Sequence, residues 1–232
     1  MNINLHRLDI SIIEEMKQIW FIADVHHGHP KAAVLFGRPV KAGEFEGEAN
    51  IENPSYKRAL SEAHNKWLID EVLNKWIKRK HTVYFLGDLS LAKKDEADKF
   101  IDKINGNKFL IAGNHDGNIL TSTRFSQITQ RKDFRFKRSG IDLHIVLDHF
   151  PIASWNRKVH GSWHLYGHVH GRFANNGLSM DVGLDSKELL QITGGVYRPI
   201  NLFEVVQYMN DKIDKFTNDV AGLMSKLEDI DE

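Results

Sequence analysis

Five short polar clusters hold the residues that could do chemistry: Asp24-Val25-His26, Gly87-Asp88, Gly113-Asn114-His115-Asp116, Asp148-His149 and Gly167-His168-Val169-His170. Carboxylates and imidazoles are ligands for divalent cations. Without a thiolate beside them they suit manganese, iron, zinc or nickel rather than copper. Magnesium or calcium would ask for more oxygen and less imidazole. The chain has no cysteine, which removes disulfide scaffolds, thiolate nucleophiles and cysteine-based zinc sites. A single catalytic zinc uses about three protein ligands, and the clusters offer more than that. Two cations sharing one carboxylate would account for the surplus.

Each cluster ends a short apolar run. The runs are Gln18 to Ala23, Thr82 to Leu86, Lys108 to Ala112, Leu143 to Leu147 and Ser162 to Tyr166. They are rich in β-branched and aromatic residues and too short for helices, so they read as strands, the first three buried. An isolated Asp-x-His or His-x-His is usually polar sequence leaving a strand. Five such clusters in succession, all beyond strand ends, point to one site, because ligands of α/β sheets bind outside the carboxyl ends of strands. Gly87, Gly113 and Gly167 adjoin three of the clusters and permit the tight turns that would aim side chains inward.

Helical patterns lie between the strands. Tyr56 to Lys80 carries an apolar stripe after the start signal Asn53-Pro54. Lys93 to Ile104 is a second, more charged helix, closed by Asn105-Gly106. Alternating strands and helices argue for an α/β layered fold. The closely spaced later strands (Phe134 to Phe136, Ile141 to Leu147, Trp163 to Tyr166, Met180 to Val182) suggest a second sheet, hence a two-sheet sandwich flanked by helices. The 232 residues fit one domain better than two small ones.

The order Asp-x-His, Gly-Asp, Gly-Asn-His-Asp, His, Gly-His-x-His, spanning Asp24 to His170, resembles the calcineurin-like metallophosphoesterases. The flanking text, Phe21 to His29 and His149-Phe150-Pro151-Ile152, is similar to the small phosphoesterases of bacteria and phages. The resemblance implies a four-layer α/β/β/α sandwich and hydrolysis of a phosphate ester. It implies that Asp24, His26 and His170 bind a first metal, that Asn114, His149 and His168 bind a second, and that Asp88 bridges both. It also implies that His115 stays unligated and acts as general acid, with Asp116 orienting it. Two such cations lower the pKa of a shared water, whose hydroxide would attack phosphorus in line. The cofactors expected are two divalent transition metal ions, with manganese first and iron, nickel or zinc as alternatives.

Outside the five blocks, Arg38 in Gly37-Arg38-Pro39 is the first choice for a substrate contact, since a loop arginine can grip phosphate bidentately. His29 is the second; His27 stands equally between a phosphate contact and a polar surface residue. Arg198, in Tyr197-Arg198-Pro199, has a similar counterpart in the resembling enzymes, though a salt bridge pinning the C-terminal strand would explain it. Asn156 and His160 follow the fourth block in a loop that could line the cleft. Arg131 to Arg138 mixes basic and aromatic residues. A half-buried strand with Phe134 and Phe136 inward explains it better than a nucleic-acid strip. His6, His64, His81, His144 and His164 read as ordinary surface or core histidines.

Residues 209–232 form an amphipathic tail, with Met209, Ile213, Phe216, Val220, Leu223 and Leu227 at heptad steps. It divides from a catalytic domain of residues 1–208. Packing on its own domain is the favoured reading and a homo-oligomer contact the other. Lysine plus arginine equals aspartate plus glutamate, 31 each, so net charge gives no global argument for nucleic acid or an anionic membrane as partner. No signal peptide or membrane span is visible, and the default location is the cytoplasm. Members of the resembling family that act on phosphoproteins or recombination intermediates carry large extra domains, which are not seen here. A small phosphodiester, phosphomonoester, nucleotide or nucleic-acid end is therefore the expected substrate. A manganese-dependent nuclease is the alternative, and a non-catalytic metal-binding scaffold, which would be expected to have lost ligands, is a third.

Overall fold

The computed structural model describes residues 3–5, 8–138, 140–173 and 176–228, with side chains described as far as residue 218. Two mixed sheets with flanking helices form the fold. The first has β1 (Ile19–Ile22), β2 (Thr82–Phe85), β3 (Asn107–Ile111), β4 (Gln127–Thr129) and β9 (Ile200–Asn201) in the order β4-β3-β2-β1-β9. Strands β1 to β4 are parallel, and β9 is antiparallel to β1. The second sheet runs β5 (Arg131–Arg138), β6 (Ile141–Asp148), β7 (Trp163–Tyr166), β8 (Ser179–Asp181). Only its β5–β6 pair is antiparallel.

Alternation along the strands builds two cores. Phe21 and Ala23 face the gap between the sheets, with Tyr84, Leu86, Phe134, Phe136, Leu147 and Leu165. Trp20 and Ile22 face the other way, onto Leu68, Val72, Phe100 and Ile101. Those partners follow α1 (Ile10–Met16) and α2 (Pro30–Leu35) in the chain: they come from the helical segment that continues α3 (Pro54–Trp67) through a π-helical stretch, Leu68–Leu73, and from α4 (Lys94–Lys103). Asn53 caps α3, its side chain accepting from the N–H groups of Ser55 and Tyr56. Such a cap contributes about 1 kcal/mol. Arg131 to Arg138 is a strand with Phe134 and Phe136 buried and Arg135 and Lys137 exposed. On the outer face of the second sheet, Trp155 from the long β6–β7 connection lies against His164 of β7.

Two parts differ from expectation. Pro30–Leu35 forms a short helix, an element that the sequence reading did not assign. The C-terminal helix is continuous from Leu202 to Glu228, so the division expected at residue 209 falls inside one helix. Its first two turns insert Leu202, Val205, Val206 and Met209 into the inter-sheet core, while Phe216 is 71% exposed. The side chains of Val220, Leu223 and Leu227 lie outside the described residues, as does His6.

One contact joins the two sheets where their strands end. Ala23, just beyond β1, forms a parallel bridge with Gly183, just beyond β8. Ala23 N–H donates to the Val182 carbonyl at 3.0 Å, and Leu184 N–H donates to the Ala23 carbonyl at 3.0 Å. This stitch puts the carboxyl ends of β1–β3 and of β6–β8 at one rim.

Candidate metal centre

Side chains leaving these strand ends converge at the rim. Asp24, His26 and His170 each offer a ligand atom within 4.8 Å of one another, and so do Asp88, His149 and His168. The Nε2 atoms of His26 and His170 lie 3.2 Å apart. Asp88 stands between the groups, its Oδ2 3.9 Å from His26 Nε2 and its Oδ1 3.5 Å from His149 Nε2. Asn114 joins the second group, with Oδ1 3.0 Å from His149 Nε2. His115 sits beside them, Nε2 4.0 Å from Asp88 Oδ2 and its side chain 49% exposed.

The backbone is forced into an unusual shape to make this cluster. Among the described residues, six non-glycine residues have positive φ. Five of them are Asp24, Asp88, His26, His168 and His170, at φ values from 48° to 72°. The left-handed region is sterically costly for residues with a Cβ, and such strain concentrates at functional sites. Glycines clear the space around them. A Cβ at Gly87 would lie 2.2 Å from His149 Nδ1, and one at Gly167 would lie 2.3 Å from the Ala23 Cβ and 2.8 Å from Asp24 Oδ2.

Hydrogen bonds fix how the imidazoles present themselves. His149 Nδ1 lies 2.8 Å from the Leu86 carbonyl, which can only accept, so Nδ1 carries the proton. In the neutral ring Nε2 is then a bare lone pair facing two oxygens, Asn114 Oδ1 and Asp88 Oδ1. A cation would satisfy all three of these atoms at once. Burial also pushes the Asp24 carboxyl well above the usual carboxylate range, with the Asp181 and Asp88 carboxylates adding to it. Burial pushes the His26 imidazole down to about 2, with His170 and Arg38 contributing. Burial likewise lowers His168, assisted by His149. Neutral imidazoles are the form that binds metal. The donor set therefore fits divalent cations.

Two expected roles are corrected. Arg38 is not a substrate contact. It is buried and all five of its N–H donors are taken: by both oxygens of Asp185, by the carbonyls of Asp24 and Val25, and by His64 Nε2. Asp116 does not orient His115. Its carboxylate is buried and accepts from the backbone N–H groups of Asp88, Leu89 and Gly113 at 2.8–2.9 Å, tying the second and third clusters together. His29 precedes the Pro30–Leu35 helix, half-buried at the edge of the site, its ring centroid 5.8 Å from that of His26. His27 points away, Nδ1 2.8 Å from Ser90 Oγ and its ring stacked on Phe100. Asp148, in the fourth cluster, turns outward to pair with Arg131. Arg198 pairs with Glu204. Sequence reasoning missed Asp181 and Asp185, both buried beside the first group. Asp181 is the last residue of the short β8 and Asp185 lies four residues beyond it, neither with a neighbouring histidine, and only their place at a strand end could have flagged them.

Residues 17–177 match the family of calcineurin-like phosphoesterases. The chain belongs to this family. It is thus a metallophosphoesterase, a hydrolase of phosphate esters from a family that binds divalent metals. A relative, the uncharacterized protein MJ1445 of Methanocaldococcus jannaschii, is 27% identical over 157 residues, covering 67% of this phosphoesterase and 70% of the relative. A protein of unknown function from Aquifex aeolicus, AQ665, superposes with a TM-score of 0.49 at 19% identity, over 85% of this chain and 98% of that one. The Pseudomonas putida nuclease MPE gives a TM-score of 0.31 at 17% identity, over 66% and 62% of the two chains. Among the described residues of the phosphoesterase, no helix is long and apolar enough to cross a membrane.

Proposed function

We propose that this phosphoesterase is dinuclear and hydrolyses small phosphodiesters or phosphomonoesters, nucleotides and nucleic-acid ends among them. Asp24, His26 and His170 would hold one cation and Asn114, His149 and His168 the other. The observation that carries the reading is the placement of Asp88, with one oxygen toward each histidine group. Cations held there would lower the pKa of a water and polarise the phosphoryl group. The imidazole-rich donors favour manganese, with iron, nickel or zinc as alternatives.

The protein's own groups supply the rest. The His115 ring is half-exposed and is a member of neither ligand group, while its backbone N–H is anchored to Asp88 Oδ1 at 2.9 Å. The imidazole is free to hand a proton to the departing oxygen. His29, whose ring centroid lies 5.8 Å from that of His26, would meet the substrate's phosphate.

The test crosses manganese, nickel, iron, zinc and magnesium with a phosphomonoester, an aryl phosphodiester, cyclic nucleotides and oligonucleotides, alongside metal titrations of the parent and of Asp88→Asn. The parent should take two equivalents, and the substitution should weaken both together. Weakening of one alone would contradict the bridging role. Turnover confined to oligonucleotides and lost at high salt would move the assignment to a nuclease.

A further inference from the structure

We infer that Asp185 and Arg38 are positioning residues that set the tautomer and orientation of His170 and thereby tune the first cation site and not the second. The inference rests on the dinuclear reading above.

The geometry is specific. His170 Nδ1 lies 3.1 Å from Asp185 Oδ2. A carboxylate only accepts, so the ring proton belongs on Nδ1 and the Nε2 lone pair faces His26 Nε2. Phe36 covers the flat side of the same ring, with centroids 3.9 Å apart and planes 10° apart. Edge and face of the imidazole are thus both held. Asp185 is in turn held by Arg38, which binds its two oxygens at 2.9 and 2.7 Å. The same guanidinium donates to the Asp24 carbonyl at 2.7 Å and to the Val25 carbonyl at 2.8 Å, the two peptide oxygens between Asp24 and His26.

The three ligands that belong to the first site alone are therefore tied to this pair: Asp24 through its carbonyl, His26 through the peptide that precedes it, and His170 through its ring. Among the described residues, neither Arg38 nor Asp185 hydrogen-bonds to Asp88, Asn114, His149 or His168. His149 has its own orienting acceptor, the Leu86 carbonyl. The two sites thus differ in kind. One is oriented by a carboxylate, which makes the ring a stronger donor, and the other by a peptide carbonyl. Replacing such an outer partner costs about 10- to 100-fold in metal affinity.

The experiment has two arms. In the metal-free protein, long-range ¹H–¹⁵N correlation spectra of the histidine rings report the tautomer of His170. The parent should show the proton on Nδ1, and Asp185→Asn should shift the population toward Nε2. In the second arm, manganese titration of Asp185→Asn should show one equivalent bound as in the parent and one weakened 10- to 100-fold. The double variant Arg38→Gln/Asp185→Asn removes both buried charges together, so it serves if the single variant does not fold. A parent His170 with its proton on Nε2, or variants that keep both the tautomer and both affinities, would overturn the inference. A parent that binds only one equivalent would sink the dinuclear reading instead, and the tautomer arm would still decide the role of Asp185.

Discussion

Asp116 Oδ2 accepts the backbone N–H of Asp88 at 2.9 Å, while its other oxygen accepts from Leu89. A side chain expected to serve a neighbouring imidazole instead fixes the peptide that carries the Asp88 carboxylate. Asp88 sits at φ 52°, a conformation that needs such outside support.

Asp116→Ala would leave two buried N–H groups, of Asp88 and Leu89, and the half-buried N–H of Gly113 without acceptors. Each unsatisfied group costs about 1–3 kcal/mol, so the variant should lose about 3 kcal/mol or more in denaturant unfolding. Asp116→Asn keeps one acceptor oxygen and should lose less. Equal stability of all three proteins would refute the clamp.

His115→Ala should leave metal stoichiometry intact, because the ring belongs to neither ligand group. Turnover should fall about 10²- to 10⁴-fold, the usual worth of a general acid. The loss should be greatest for esters with poor leaving groups. Steady-state kinetics across aryl esters of graded acidity reads this directly, and a uniform loss would point to binding rather than proton donation.

Gly87→Ala places a Cβ 2.2 Å from His149 Nδ1 at a residue with φ of 85°. The imidazole must move and its bond to the Leu86 carbonyl breaks. Titration should show the second cation weakened at least tenfold while the first is changed less. Unchanged binding at both sites would mean that the loop relaxes freely.

The metal-free protein should lose stability as pH falls from about 7 to about 4.5. Burial lowers His26 to about 2, His64 to about 3 and His27 to about 4. His29, His81, His164 and His168 are lowered as well, burial being the largest cause in each. A histidine neutral when folded and charged when unfolded makes the unfolded state bind more protons, so stability rises with pH through that window. Three carboxyls oppose the trend. Burial raises Asp24 and Asp116 and pushes Asp181 up to about 6, which removes stability as pH rises from about 4 toward their folded values. Seven imidazoles outnumber three carboxyls, so the acid loss should win. Denaturation midpoints measured between pH 4.5 and 7.5 check the sign.

Much of this was legible in the sequence because strand ends and ligand types coincide there. A run such as Thr82 to Leu86 followed by Gly87-Asp88 announces both an element and what it delivers. Short elements were not legible. Strand β9 has two residues, and the Pro30–Leu35 helix has six. Their existence depends on neighbours that periodicity does not show. Arg38 was misread for a related reason. Gly37-Arg38-Pro39 signals a loop, and only tertiary packing reveals that the loop turns its guanidinium inward onto Asp185, 147 residues later. Asp116 was misread because adjacency to His115 suggested partnership, whereas two of the three N–H groups that donate to it, those of Asp88 and Leu89, follow a different strand.

The stitch between Ala23 and Gly183 also orders events during folding. A chain with only its first sheet formed would hold Asp24, His26 and Asp88 but none of His149, His168 and His170. Contacts of such long sequence separation form late. Cation affinity therefore arrives with the finished sandwich, and a bound ion acts as a latch that favours the closed assembly over partly docked sheets.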